Sequence, residues 1–201
     1  MIKVVLAEDE AITREALAKL LELTEDIEVV ADTGRGDSVL GLVDQHQAQL
    51  AVLDVNMPGM NGIEVAEQLR QERSGFPIVI LTCDARPGHV HRALKAGVRG
   101  LLTKETSIGE LVGVIRKVHA GGWHFMPELV AEMLDSGENP LTAREAEILM
   151  AAQDGRPLSA IASQLNLSPG TVRNHIHSAI HKLGAGNRIS AVHAASRAGW
   201  I

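Results

Sequence analysis

The chain has 201 residues, 45% of them hydrophobic and 22% charged, enough for a packed core and too apolar for a disordered chain. No apolar run approaches the roughly 20 residues of a membrane-spanning helix, and the opening MIKVVLAEDE carries three acids and no signal-peptide core, so no membrane insertion and a cytoplasmic location are expected. The net charge of −6 is uneven: residues 1–137 hold 13 Lys/Arg against 21 Asp/Glu, and residues 138–201 hold 6 against 4, which suggests two modules with different partners.

Taken in chain order, the first 120 residues alternate short apolar runs with helical patterns. IKVVLA (2–7), IEVVAD (27–32), LAVLD (50–54), PIVILT (77–82) and GLLTK (100–104) read as strands. Between the first two lies ITREALAKLLEL, where Ile12, Ala16, Leu17, Leu20 and Leu23 recur at helical spacing as an expected buried stripe. SIGELVGVIRKVH places Ile108, Leu111, Val112, Ile115 and Val118 on one face, and Ser107 with Glu110 matches a capping box. Five strands alternating with helices predict a parallel sheet covered on both faces, with ligands bound beyond the carboxyl ends of its strands. Cys83, the single cysteine, excludes an internal disulfide and argues against a cysteine-based zinc site; burial is its expected role.

Gly121-Gly122 and DSGENP (135–140) break the rhythm and predict a linker over 121–138, with a short helix near PELVAEML. From Thr142 the pattern is purely helical: TAREAEILMAAQ with a Thr142/Glu145 capping box, then LSAIASQLN, then SPGTVRNHIHSAIHKL, then a last helix near Arg188–Arg197.

The chemistry gathers at the strand ends. Glu8 and Asp9 follow the first strand and Asp54 closes the third, so neighbouring first and third strands bring three carboxylates to one edge. Like charges that close call for a cation, and oxygen donors suit a hard divalent ion such as Mg²⁺. Thr82 ends the fourth strand and Lys104 the fifth, adding a hydroxyl and an ammonium suited to a transferred phosphoryl group. Each feature alone has a plainer explanation: an acid pair after a strand usually caps a helix or lines a solvated turn. Their joint occurrence at separate strand ends is what points to a site.

E8-D9, D54 followed by MPG and G62, T82, K104 and the run KAGVRGLLTK resemble the receiver domain of two-component response regulators. By position the resemblance implies Asp54 as phosphoacceptor. It implies Mg²⁺ held by Asp9, Asp54 and the backbone carbonyl of Asn56, with Glu8 assisting through water. Thr82 and Lys104 would meet the phosphoryl oxygens. Many receivers carry Tyr or Phe three residues before the lysine; here that residue is Leu101, so a ring-flip relay is not available.

In the tail, Ser168 suits an N-cap, Pro169 the first helical turn, and Val172, Ile176, Ala179, Ile180 and Leu183 a buried stripe. With the short helix before it, the segment reads as a helix-turn-helix whose second helix could enter a major groove. LTAREAEIL, IASQLNLSPGTVRNHIHSAIHKL and NRISAVHAA are similar to the four-helix LuxR-type DNA-binding domain. Receiver and tail together resemble the NarL/FixJ family, and ARPG (85–88) with GTVRNHI is similar to its desaturase-regulator branch. The resemblance implies base-edge contacts from Arg173, Asn174 and His177, and phosphate contacts from Thr171, Lys182 and Arg188.

The expected architecture is therefore α/β: a five-stranded, parallel, doubly wound receiver over 1–120, a linker over 121–138, and a small all-α four-helix helix-turn-helix domain over 139–201. The expected function is a response regulator, not an enzyme beyond its own phosphorylation and dephosphorylation. A sensor histidine kinase would be the phosphodonor, a double-stranded DNA operator the target, RNA polymerase a further partner, and a homodimer the active form. Helices 11–24 and 107–120, with Leu21 and Val114 outside the narrow stripe, are the expected dimer face. Two rivals are a phosphorylation-independent regulator with the receiver as dimer scaffold, and a Mg²⁺-dependent aspartyl phosphohydrolase. The latter needs a general acid where Asn56 stands.

Overall fold

A computed structural model describes residues 1–83, 87–127, 130–131 and 139–201. Two compact units emerge, one with the described residues 1–83, 90–127 and 130–131, the other with the described residues 87–89 and 139–201. Among the described residues no helix is long and apolar enough to cross a membrane.

The first unit is built on six parallel strands: β1 (Ile2–Ala7), β2 (Ile27–Thr33), β3 (Leu50–Asp54), β4 (Ile78–Thr82), β5 (Gly100–Thr103) and β6 (His124–Phe125). Their order is β2-β1-β3-β4-β5-β6. Helices α1 (Ala11–Glu22), α2 (Val39–Gln45), α3 (Gly62–Glu72), α4 (Pro87–Lys95) and α5 (Ile108–His119) form the crossovers. β3 and β4 are buried at every residue, because helices cover both faces of a parallel sheet. Register pairs Ala7 with Leu53, Asp54 with Leu81, and Thr82 with Thr103, so these strands end together on one edge.

Leu6, Val52, Leu81 and Leu102 meet Leu111, Ile115 and Val118 of α5 in a continuous core. Each such side chain contributes roughly 1.5–3 kcal/mol through burial. α5 turns the expected residues inward, and Ser107 accepts the Glu110 N–H at 3.3 Å.

Residues 124–125, placed in the linker, form β6 against β5, with Trp123 stacked on Phe125 at 6.2 Å between ring centroids and the Arg99 guanidinium 5.7 Å over Trp123. Cys83, expected to be buried, is exposed beside Thr82. The face of α1 is turned from the expected one: Leu17 packs inward as expected, but Ile12 and Leu23 are 82% and 80% exposed, while Leu21 is fully buried. The inward stripe of α1 runs through Arg14, Leu17, Ala18 and Leu21, and a charged residue at its head hides it from a search for apolar periodicity. Leu21 and Val114, offered for a dimer face, are therefore both core residues.

Of the short helix expected near PELVAEML, Pro127, Val130 and Ala131 are helical, with the Val130 N–H donating to the Met126 carbonyl. The rest of it lies outside the described residues, as do most of DSGENP and the first half of ARPG.

The second unit is all helical: α6 (Ala143–Ala151), α7 (Leu158–Gln164), α8 (Pro169–Lys182) and α9 (Arg188–Arg197). Thr142 and Glu145 form both halves of the capping box that opens α6. Ser168 caps α8 by accepting the Thr171 N–H at 3.0 Å. Between α7 and α8, Asn166 takes a left-handed conformation (φ 53°), which turns the chain sharply enough for a helix-turn-helix. Ile148, Ile161, Val172 and Ile176 form one part of its core and Leu149, Ala179, Ala191 and Ala195 another.

Candidate functional site

The common edge of the sheet carries the site. Glu8 is 1% exposed and Asp54 4%, while Asp9 is open to solvent, and one carboxylate oxygen of each lies within 4.8 Å of the others. The ammonium of Lys104, just past β5, reaches both buried acids: Nζ is 2.7 Å from a Glu8 oxygen and 3.2 Å from Asp54 Oδ2. Its backbone N–H donates to the Thr82 carbonyl at 2.9 Å, which fixes Lys104 to the end of β4. Thr82 itself is fully buried at that edge, and Asn56 is exposed two residues beyond Asp54.

Electrostatics at this edge follow from burial and from the shared cation. Burial raises the Asp54 carboxyl above the usual carboxylate value; Lys104 and the N–H groups of Asn56 and Val55 oppose that rise without reversing it. Burial likewise raises Glu8, with the neighbouring Asp54 charge adding to it and the Lys104 and Glu10 hydrogen bonds working against it. Lys104 moves the other way from what its burial alone would cause, because its bonds to Glu8 and Asp54 hold the proton on. Two buried carboxylates sharing one lysine, with a third beside them, suit a hard divalent cation through oxygen donors.

Local sequence shapes the loop after Asp54. Gly59 has φ +82°, a left-handed turn that glycine adopts without strain. A Cβ on Gly62 would overlap the Asp54 carbonyl oxygen, so only glycine allows α3 to begin this close to β3. Asn61 accepts the N–H groups of Ile63 and Glu64, and Glu64 returns a bond to the Asn61 N–H, a full capping box.

One contributor was not foreseen in the sequence. Arg14 donates Nη1 to the Glu8 carbonyl at 2.7 Å and Nε to Asp32 at 2.9 Å, joining the ends of β1 and β2 and holding the loop that carries Glu8 and Asp9. A lone arginine inside a helical pattern carries no local signal of that role.

In the second unit, Arg173, Asn174 and His177 lie exposed on α8. Thr171 is half-buried, its hydroxyl 2.8 Å from that of Ser168. Lys182 and Arg188, expected on phosphates, are engaged within the unit: Lys182 pairs with Glu145 at 2.7 Å, and Arg188 donates to the Arg156 carbonyl at 2.8 Å.

Residues 4–116 match the response regulator receiver domain, and residues 139–195 match the LuxR family of bacterial regulatory proteins. Over all 201 residues the chain is 42% identical to the transcriptional regulatory protein DesR of Bacillus subtilis, covering the full length of both. It is 34% identical to the transcriptional regulatory protein UhpA of Salmonella typhimurium, covering 96% of this chain and 97% of that one. Among solved structures, the response regulator ChrA of a heme-sensing two-component system aligns with TM-score 0.59 at 29% identity, covering 100% of this chain and 98% of its own. The response regulator RcsB in complex with DNA aligns with TM-score 0.65 at 25% identity, covering 98% of each. With both units matched and relatives aligned from end to end, the chain belongs to the NarL/FixJ family of two-component response regulators, a receiver followed by a LuxR-type DNA-binding domain.

Proposed function

We propose that phosphorylation of Asp54 by a sensor histidine kinase switches dimerisation and sequence-specific DNA binding, and so transcription. The observation that carries this reading is the convergence of Glu8, Asp9 and Asp54 within 4.8 Å, with Lys104 bonded to both buried acids. An Asp54 oxygen forms a bond to phosphorus as the P–N bond of the kinase's phosphohistidine breaks. The electron pair leaves with the imidazole nitrogen, which then takes a proton. Asp9, Asp54 and the Asn56 carbonyl would hold Mg²⁺, with Glu8 assisting through water, and the ion would offset charge on the transferred group. Lys104 leaves Asp54 for the new phosphoryl charge, and the Thr82 hydroxyl bonds one of its oxygens. The carboxylate's single charge becomes an acyl phosphate of about −2 with three new acceptor oxygens, and this gain at the edge is the input to the switch. Asn56 stands where a phosphohydrolase of this chemistry would carry its general acid, so the phosphoryl group is a signal and not a turnover intermediate.

Dimer formation follows from α1. Ile12, Leu20 and Leu23 stand exposed along it, and a cleft of about 150 Å³ beside them is lined by Leu17, Ile108 and Leu111 and reaches Lys104. A second copy covering this face would remove apolar surface from water next to the lysine that responds to phosphorylation. In the dimer, Arg173, Asn174 and His177 of each α8 meet base edges in two half-sites of an operator, with Thr171 at a phosphate. RNA polymerase would be the downstream partner.

The direct test is acceptance of phosphate from acetyl phosphate with Mg²⁺, read by intact mass. Wild type should gain one acid-stable, base-labile phosphoryl group and Asp54→Ala none. Equal incorporation by Asp54→Ala would place the acceptor elsewhere.

A further inference from the structure

The second unit spends most of its positive charge on itself. Residues 138–201 contain six Lys/Arg: Arg144, Arg156, Arg173, Lys182, Arg188 and Arg197. Arg144 pairs with Glu147 and donates to the Leu165 carbonyl at the end of α7. Arg156 pairs with Asp154 at 2.9 Å. Lys182, in the last turn of α8, reaches back to Glu145 on α6, a carboxylate only 4% exposed. Glu145 Oε1 accepts the Ser178 hydroxyl at 2.7 Å, and Oε2 accepts Lys182 Nζ at 2.7 Å and the Thr142 N–H at 2.7 Å. Arg188 opens α9 and holds the loop before α7 by two carbonyls, Arg156 at 2.8 Å and Gly155 at 3.3 Å. Of the cations on α8, only Arg173 lacks a carboxylate partner among the described residues.

We infer that Lys182 and Arg188 are positioning residues that set the pose of α8, and that they do not neutralise DNA phosphates. The inference rests on the DNA-binding role proposed above and refines which side chains carry it. Moving Lys182 to a phosphate would leave Glu145 charged and buried with its strongest donor gone, a loss that the new contact must first make up. The ammonium also sits at the C-terminal end of α8, where the helix dipole favours it. Moving Arg188 would strip two carbonyls of their donor and loosen α9 from the α6–α7 loop. Ser178 and Lys182, four residues apart, are gripped by one carboxylate, which fixes both rotation and height of α8 against α6. α8 is thereby held with Arg173, Asn174 and His177 exposed to solvent. Phosphate neutralisation is then left to few side chains, and discrimination depends on the angle at which α8 is held.

The two roles differ in salt dependence. Each phosphate contact adds about 0.9 to the slope of log K against log salt. The full-length phosphorylated chain would be titrated, over a range of salt, against a duplex selected from a random-sequence library by the wild type. Arg173→Ala, which removes a base-edge contact, should weaken binding by about tenfold or more and relax the base preference at its position. Lys182→Met and Arg188→Met should weaken binding by about tenfold at every salt concentration and leave the slope at the wild-type value. The double variant Glu145→Gln/Lys182→Met removes the buried charge together with its partner, so it keeps the fold and should show the same unchanged slope. A slope lowered by about 0.9 in either Lys182 variant would make Lys182 a phosphate contact and overturn the inference. Unchanged affinity in both single variants would overturn it as well. Failure of the wild type to retain any duplex would instead sink the DNA-binding reading itself, which the selection step reveals before any variant is made.

Discussion

Gly62 lies where the carbonyl oxygen of Asp54 fills the space a Cβ would need, so this residue sets how close α3 can come to Asp54. Gly62→Ala should destabilise the first unit by about 2 kcal/mol or more, because backbone and not a flexible side chain must yield. Chemical denaturation would measure the loss, and acetyl phosphate labelling of the folded fraction should slow in parallel. Glu145 offers a second test at the same scale. Burial acts to raise its carboxyl, yet the bonds from Lys182, Ser178 and Thr142 outweigh that and hold it at about 2, below the ordinary 4.5. Its stabilising contribution is present in full above the ordinary value and is lost as pH falls from there toward 2. Thermal unfolding between pH 5 and pH 3 should therefore show a falling midpoint for the second unit, and Glu145→Gln should flatten that fall while starting about 2 kcal/mol less stable at neutral pH. The placement of Asp54, Thr82 and Lys104 at one sheet edge was legible from sequence because each closes or directly follows an apolar run. The grip of Glu145 on Lys182 was not, since the pair lies 37 residues apart and either residue alone reads as surface charge.

At the scale of elements, α1 separates what periodicity can decide from what it cannot. Apolar residues at 12, 16, 17, 20, 21 and 23 satisfy the helical period on more than one face. Arg14 heads the face that the fold buries, because its guanidinium is needed at the Glu8 carbonyl and Asp32. Ile12 and Leu23 are left outside, and their replacement is the test of the dimer face. Ile12→Glu/Leu23→Glu should hold the phosphorylated protein as a monomer in sedimentation, with stability changed by no more than about 0.5 kcal/mol, as befits exposed positions. Dimer formation at wild-type strength would move the interface elsewhere. On α5 the expected stripe of Ile108, Leu111, Val112, Ile115 and Val118 does face the core, since its charges fall only on the outer face, but Val114, expected outside, is buried with it. The two-residue β6 escaped because it is too short for any pattern, and what holds it is the pairing with β5 and the stack of Trp123 on Phe125.

For the whole molecule, the charge asymmetry along the chain already separated an acidic unit from a weakly basic one. The fold of each was legible, the first from five strand ends converging on one edge, the second from capping residues at Thr142 and Ser168. Leu101, three residues before Lys104, is fully buried and carries no ring that could turn outward. A buried leucine can change rotamer and little else, so the account rests on Lys104, which touches Glu8 and Asp54 and also lines the cleft beside α1. A shift from 1:99 to 99:1 between two states requires about 5.5 kcal/mol, which phosphorylation and dimerisation would supply together. The central claim is that the charge on Asp54 controls DNA affinity. Binding of wild type and Asp54→Ala to the selected duplex, each with and without acetyl phosphate and Mg²⁺, measures it directly. Wild type should tighten on phosphorylation and Asp54→Ala should not respond; an equal response from both, or from neither, would contradict the account.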